Sequence, residues 1–461
     1  MIKSKAKTLL LFFKVNTKMI QVAQIIFILS VLVILHEFGH YITAKIFKVR
    51  VEKFYLFMDA GFSLLKKKIG DTEWGIGWLP LGGYVKLSGM IDESMDTAQM
   101  SAPAEPWEFR SKPAWQRLII MLGGITVNII LAWLIFTIMY STVGQKFIST
   151  AKIQEKGLAF GEVGQKAGFR NGDKILSVDG KYQPSFNRMT LDVLLGDKVE
   201  VERNGQKVDV ILTDEIKGEI ISKEGREFVA PRTTNIKIDS IIGNSNAKRA
   251  GLLVGDNIVG VNNTKIIFFD ELRDALSKHK NDSVVLEVNR NNQILKIKAL
   301  VTKEGTLGFS QNTKRILKDD YEINNKLSFG QAVPAAVNES WALLVYNVKQ
   351  FKLILRPKTE AYKHVQSPIG IARRLPDTWD WEFIWNFTAL FSIGLAFMNL
   401  LPIPGLDGGH ALFTIVEMIT GKKLSDKAAG YVQTAGMIIL LTLMALTFGK
   451  DLYQLVVDKI L

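Results

Sequence analysis

The chain reads as a polytopic α-helical membrane protein: four transmembrane helices, a membrane-associated β-hairpin or small sheet, and two inserted, mainly β domains. Three observations carry that reading. Four stretches, Met19–Leu35, Leu118–Gln145, Phe383–Leu406 and Ala428–Gly449, hold no charged side chain although 22% of the chain is charged. The block Ala167–Asp179 recurs 83 residues later as Ala250–Asn262. Between the first two stretches, Trp74–Met90 alternates apolar and small residues around Pro80, Gly82 and Gly83.

The last three uncharged stretches exceed the roughly 20 apolar residues that cross a hydrocarbon core of about 30 Å. The first is shorter, but it continues through His36–Tyr41 into Ile42–Ala44. Transmembrane helices are therefore expected over 19–46, 117–144, 383–406 and 428–449, with a C-terminal tail over 450–461. Residues 1–18 carry five lysines ahead of Met19 and are expected to be a basic extension upstream of the natural start. Ser340–Val348 has nine uncharged residues before Lys349, too few to span. With Trp341, Leu343, Leu344, Val345 and Tyr346 it predicts an amphipathic segment over 325–380 lying at the interface.

Orientation follows from the basic residues. The loop at 42–117 holds eleven Lys or Arg, and Lys422, Lys423 and Lys427 fall between the last two spans. Those loops share a side, and basic loops favour the cytoplasm. The segment from Lys146 to Glu382 then faces outward, as do both termini, against which the lysines of residues 1–18 stand as a discord. A net charge of +13 invites a nucleic-acid reading, but no nucleic-acid motif is present, and an anionic lipid bilayer accounts for the excess. The absence of Cys excludes thiolate ligands and disulfides.

Within the cytoplasmic loop, 47–116, the alternation of Trp74–Met90 around a Pro/Gly turn predicts a β-hairpin or looped sheet, its aromatic residues suited to the membrane boundary. In the outward segment the repeat has the kernel A-G-x-x-x-G-D-x-I-x-x-V-(D/N). Its Gly-Asp is a turn, and the alternating residues after it form a half-buried strand. Lys198–Arg203 and Ser283–Arg290 read as further strands, and Asp270–Lys278 as a short amphipathic helix. These kernels resemble the PDZ domain, which implies tandem PDZ-like domains over 150–220 and 233–310. PDZ folds bind an extended peptide as an added strand.

The chemistry concentrates in His36-Glu37-Phe38-Gly39-His40. Residues four apart share a helix face, so two imidazoles can grip one metal ion, with the intervening glutamate placed to take a proton from water. The motif caps an apolar span, where ionisable groups are costly and usually functional. A catalytic zinc takes three protein ligands, and the third must come from elsewhere. Asn399-Leu400-Leu401-Pro402-Ile403-Pro404-Gly405-Leu406-Asp407-Gly408-Gly409 should unwind the end of the third span, and Asp407 there is otherwise unexplained. The first and third spans exit on the same side, so Asp407 can reach the histidines. His410 is a rival third ligand, whereas His279 and His364 fall in the outward segment and read as surface residues.

HExxH on a first membrane helix, N-x-x-P-x-P-x-x-D-G-G on a later one and tandem PDZ-like kernels between them resemble the site-2 protease family, of the bacterial regulator-of-sigma-E type. The resemblance runs from about Met19 to the C-terminus. It implies zinc bound by His36, His40 and Asp407, with Glu37 as catalytic base. Asn399, Pro402 and Pro404 would help to hold substrate, and Gly82, Gly83, Tyr84 and Val85 would form a membrane-associated β-structure that substrate joins. Gly123-Gly124-Ile125-Thr126-Val127-Asn128 is similar to a family G-P-x-x-N segment, with Ile125 in place of proline. The implied substrates are single-span membrane proteins, such as pre-trimmed anti-sigma factors, and remnant signal peptides. The implied location is a bacterial inner membrane, with periplasmic PDZ-like domains and the active site toward the cytoplasm. A catalytically silent membrane scaffold that binds peptide tails would lack a ligand or base, and none is lacking. A transporter is disfavoured because the halves of the span set show no repeat.

Overall fold

The computed structural model describes residues 2–80, 82–90, 103–225, 227–234 and 236–460, with the side chains of the N-terminal extension outside the described set. The chain forms two compact units, one of residues 1–144, 326–351 and 365–461, the other of residues 145–325 and 352–364.

The first unit is built on six long helices: α1 (Ile2–Ile46), α2 (Ala114–Thr142), α3 (Phe329–Ile354), α4 (Trp381–Leu400), α5 (Asp407–Thr420) and α6 (Asp426–Ile460). Four contain windows long and apolar enough to cross a membrane, within Met19–Ile46, Ala114–Thr142, Trp381–Leu400 and Ala428–Gln454. The chain is thus a membrane protein, as the uncharged stretches predict. Two glutamines inside the first span reach partners outside it. Gln21 and Gln24 of α1 donate to the carbonyls of Leu375 and Thr378, each at 2.7 Å. Asp380 caps α4 by accepting from the Glu382 and Phe383 N–H groups, which fixes where that span begins.

One expectation is corrected here. The third span ends at Leu400 rather than Leu406. After the turn Leu401–Leu406 the chain enters a new helix, α5, in a region expected to be loop. Gly408 and Gly409 open that helix instead of breaking it. A Cβ on Gly408 would stand 2.6 Å from the Leu400 carbonyl oxygen, and one on Gly409 2.5 Å from that of Ile403. The segment 325–380, expected to be amphipathic and interfacial, contains the 26-residue helix α3. Ala332 and Ala336 are fully buried in a cluster with Ala132, Phe136, Ala389 and Ile393 of α2 and α4. Small residues let the helix backbones approach there, while Trp341, Val345 and Val348 further along α3 stay exposed.

The loop after α1 forms a four-stranded mixed sheet in the order β2-β3-β1-β4, from β1 (Val51–Leu56), β2 (Met58–Ile69), β3 (Thr72–Leu79) and β4 (Tyr84–Leu87). Of the two forms expected around Pro80–Gly83, a hairpin or a looped sheet, the structure shows the sheet. β1 lies between β3, to which it is parallel with Phe54 opposite Trp74, and β4, to which it is antiparallel with Tyr55 opposite Tyr84. The hairpin is β2–β3, closed by Gly70-Asp71 with Gly70 at φ +60°, a two-residue loop that glycine favours. Phe54 and Trp74 pack 4.5 Å apart, and Trp74 lies 5.1 Å from Tyr41 of α1, which seats the sheet on the end of that helix.

The second unit enters and leaves by adjacent antiparallel strands, Gln145–Ile148 and Glu322–Asn325. It holds two apolar cores, one around Phe160, Phe169, Val199 and Phe228, the other around Ile238, Val261, Val284 and Leu286. The sequence repeat is a repeat of contacts. Asp173 and Asp256, each 1% exposed, follow glycines at φ +93° and +98°. Oδ2 of each accepts a backbone N–H, from Arg170 at 2.9 Å and from Leu253 at 2.8 Å. Each carboxylate is clamped by an arginine from a later strand, Arg203 and Arg290, which also donates to the carbonyl of Gly168 or Gly251. The helix Phe269–Ser277 stands where an amphipathic helix is expected. Its counterpart Phe186–Leu195, also 83 positions earlier, was not expected.

Candidate metal centre

The last turns of α1 place His36 and His40 one above the other on one face, both buried. Their Nε2 atoms lie 3.3 Å apart. Asp407, the first residue of α5, brings Oδ2 to 3.2 Å from His36 Nε2 and 3.3 Å from His40 Nε2. The helix N-terminus favours a carboxylate at that position. Hydrogen bonding does not account for the resulting triangle, because Asp407 Oδ2 is buried and takes no well-formed hydrogen bond. A metal does: two ligand atoms about 2.05 Å from a tetrahedral zinc stand about 3.3 Å apart. Two imidazoles, one carboxylate and an open fourth position are a donor set suited to catalytic zinc. Among the described residues, this is the trio of His, Asp and Glu ligand atoms that all lie within 4.8 Å of one another. The end of the first span and the chain just beyond the third come together, as expected, although Asp407 sits on a helix that was not.

The imidazoles are held from behind. His40 Nδ1 lies 2.9 Å from the Ile120 carbonyl and donates to it, leaving Nε2 with a bare lone pair. His36 Nδ1 lies 3.1 Å from the Asn128 amide nitrogen, while Asn128 Oδ1 is buried without another hydrogen bond. With the amide turned so that Oδ1 accepts the Nδ1–H, His36 also presents a bare Nε2. Ser392 of α4 in turn donates to the Asn128 carbonyl at 2.7 Å.

Close approach of α1 and α2 makes this possible. A Cβ on Gly123 would stand 2.5 Å from the Gly39 carbonyl oxygen, and one on Gly124 2.5 Å from His40 Nε2. The glycine within HEFGH and the Gly123-Gly124 pair are thus two sides of one contact. Small residues on neighbouring spans were the available signal for it.

A cavity of about 250 Å³ surrounds the triangle. It is lined by Glu37, Asn399 and residues Gly82, Gly83, Tyr84 and Val85 of the β4 entry, together with Gly405, Leu406, His410 and Gln433. Asn399 Nδ2 lies 3.0 Å from His36 Nε2, so this amide shares the cavity with the ligands. Pro402 and Pro404 shape the Leu401–Leu406 turn, whose cavity-lining residues are Gly405 and Leu406. His410 lines the cavity without joining the triangle. His279 and His364 lie in the second unit. Asn128, Gly124 and Gln433 carry roles that sequence reasoning did not assign.

Apolar spans that converge on two imidazoles, a carboxylate and an adjacent glutamate define a membrane-embedded metal-dependent hydrolase. Residues 24–443 match the family model of peptidase family M50, and the chain belongs to that family, the site-2 proteases. Regulator of sigma-E protease RseP of Escherichia coli is 28% identical over 468 aligned residues, covering 94% of this chain and 98% of that protein. Protease RseP of Yersinia pestis is 27% identical over 458, with 94% and 98% covered. A Neisseria meningitidis protein provisionally named as a zinc metalloprotease is 26% identical over 457, with 93% and 98% covered. The enzyme is a zinc metalloprotease, and zinc is its cofactor.

Proposed function

We propose that this protease hydrolyses peptide bonds within the membrane-spanning segments of single-span proteins, with His36, His40 and Asp407 as ligands and Glu37 as general base. The observation that carries the reading is one cavity, at the ends of membrane helices, holding the ligand triangle, Glu37 and an outer sheet strand. Zinc, when bound, acidifies water and polarises the scissile carbonyl. Glu37 takes the proton of the attacking water and passes it to the leaving amide nitrogen. A helical substrate hides its amide bonds in its own hydrogen-bond ladder, and unwinding it in a low-dielectric setting leaves groups unpaired at several kcal/mol each. β4 receives the unwound stretch as an added strand, and the Asn399 amide bonds its backbone.

Anti-sigma factors already trimmed outside the membrane, and remnant signal peptides, are the substrate classes this implies. The two β-rich domains of the second unit are PDZ-like and filter or hold such substrates. They face the periplasm of a bacterial inner membrane, with the metal centre toward the cytoplasm. The cysteine-free chain makes orientation testable. Lys207→Cys should react with a membrane-impermeant maleimide in spheroplasts, and Lys67→Cys only after permeabilisation; the opposite pattern contradicts the orientation. The function is tested by incubating the purified full chain with single-span peptides. Cleavage inside the apolar stretch, blocked by a chelator and restored by Zn²⁺, is expected. Cleavage confined to the flanking polar segments contradicts the proposal.

A further inference from the structure

The least enclosed of the four spans carries a buried polar residue that the chemistry above does not use. Only 11% of the α6 membrane window is buried, against 28–44% for the others. Yet Gln433 on α6 is 4% exposed and lines the metal cavity. A glutamine at that depth needs a partner. Its Oε1 accepts the Gly405 N–H at 3.2 Å.

The turn that carries Asp407 shows why that bond matters. Pro402 and Pro404 have no N–H. Leu401 N–H donates to Met398, Ile403 to Leu401, and Leu406 to Ile403, all within the turn or the helix before it. Gly405, at φ +98°, sends its N–H to Gln433 instead. A complete account of the turn's donors therefore leaves one bond to an outside element, two residues before the metal-ligand carboxylate. The packing agrees. Gln433, Gly436, Met437 and Leu440 fall on one face of α6. A Cβ on Gly436 would overlap the Pro404 carbonyl and stand 2.6 Å from Pro404 Cβ, while one on Gly405 would stand 3.0 Å from Leu440 Cδ1.

We propose that Gln433 is a positioning residue for the metal site: by holding the Gly405 N–H it fixes the turn that aims Asp407, which makes α6 part of the centre although no residue of α6 is a ligand. The proposal rests on Asp407 being a ligand, and the experiment separates the two claims. Full-length protein is loaded with Co²⁺, and its visible absorption spectrum and rate of metal loss to a chelator are recorded, alongside kcat and KM for a single-span peptide. Gln433→Met keeps the side-chain length and removes the acceptor. It should shift the Co²⁺ bands and speed metal loss about 10–100-fold, the range typical of a lost outer partner. It should also lower kcat more than it raises KM. Gln433→Glu keeps an acceptor oxygen and should restore spectrum and retention. Gly436→Ala pushes α6 off Pro404 and should reproduce the Gln433→Met change if that variant does not accumulate. Asp407→Ala is the reference. If it retains Co²⁺ with an unchanged spectrum, the ligand assignment fails. If it loses Co²⁺ while Gln433→Met and Gly436→Ala keep the wild-type spectrum and retention, the ligand stands and the positioning role is overturned.

Discussion

At Gly124 one added carbon would decide the state of the metal site. An ideal Cβ there would stand 2.5 Å from His40 Nε2 and 2.6 Å from His36 Cε1, so the imidazoles would have to move or the helices part. Gly124→Ala should lower zinc content and cut cleavage at least about ten-fold, the scale of a disturbed ligand. Gly394→Ala on α4, where a Cβ meets nothing within 4 Å, should be silent in both. Elemental analysis of the purified variants checks the pair. In the second unit the decisive residue is Asp256. Burial works to raise its carboxyl, but the Arg290 guanidinium and the Leu253 N–H override burial and hold it below the ordinary carboxylate range. A depressed folded pKa contributes stability that is present above the unfolded value of about 3.9 and lost as pH falls through the folded one. Arg290→Met should therefore destabilise this domain by about 3 kcal/mol at neutral pH, since it leaves a buried carboxylate unpaired. That penalty should shrink as pH falls below about 4 and Asp256 becomes neutral. Thermal unfolding of the full chain across pH measures both, and a pH-independent difference would count against the pair.

At the scale of elements, the sheet sharpens what a proline scan can say. β3 is paired on both sides, Ile76 facing Leu65 of β2 and Leu56 of β1, so proline at Ile76 should break the sheet and lower expression. β4 is an outer strand, paired with β1 alone within the sheet. Successive N–H groups of a strand point to opposite sides, so of Tyr84 and Val85 one donor faces β1 and the other faces away. One of the two proline variants should therefore lose cleavage while zinc content and expression stay normal; normal cleavage in both would refute strand addition at β4. The strands themselves were legible: Lys198–Arg203 and Ser283–Arg290 are strands with those limits. The choice between a hairpin and a looped sheet about Pro80–Gly83 was not legible, because local alternation cannot show that β1, thirty residues earlier, comes between β3 and β4. α5 was missed for a related reason. Its two glycines signal unwinding when read locally, whereas the structure needs them to pass the Leu400 and Ile403 carbonyls. An ion pair between Arg117 of α2 and Glu417 then holds α5 in place.

For the molecule as a whole, the inserted unit returns the chain to its starting edge by the strand pair Gln145–Ile148 and Glu322–Asn325, so about three-fifths of the residues between α2 and the chain's end interrupt the helical unit without separating His36 and His40 from Asp407. The cluster of His36, His40 and Asp407 was legible because metal geometry would constrain residue type and spacing strongly: two histidines four apart, and a carboxylate where a span unwinds. What supports them was not legible, since Asn128, Gly124 and Gln433 act through contacts between helices far apart in sequence. In the proposed chemistry Glu37 moves the proton while His36, His40 and Asp407 hold the metal. Glu37→Gln tests it most directly, because it removes the base and no ligand. The Glu37→Gln protein should keep full zinc content and normal accumulation and show no detectable cleavage of a single-span peptide. Near-normal turnover by a zinc-loaded Glu37→Gln protein would contradict it.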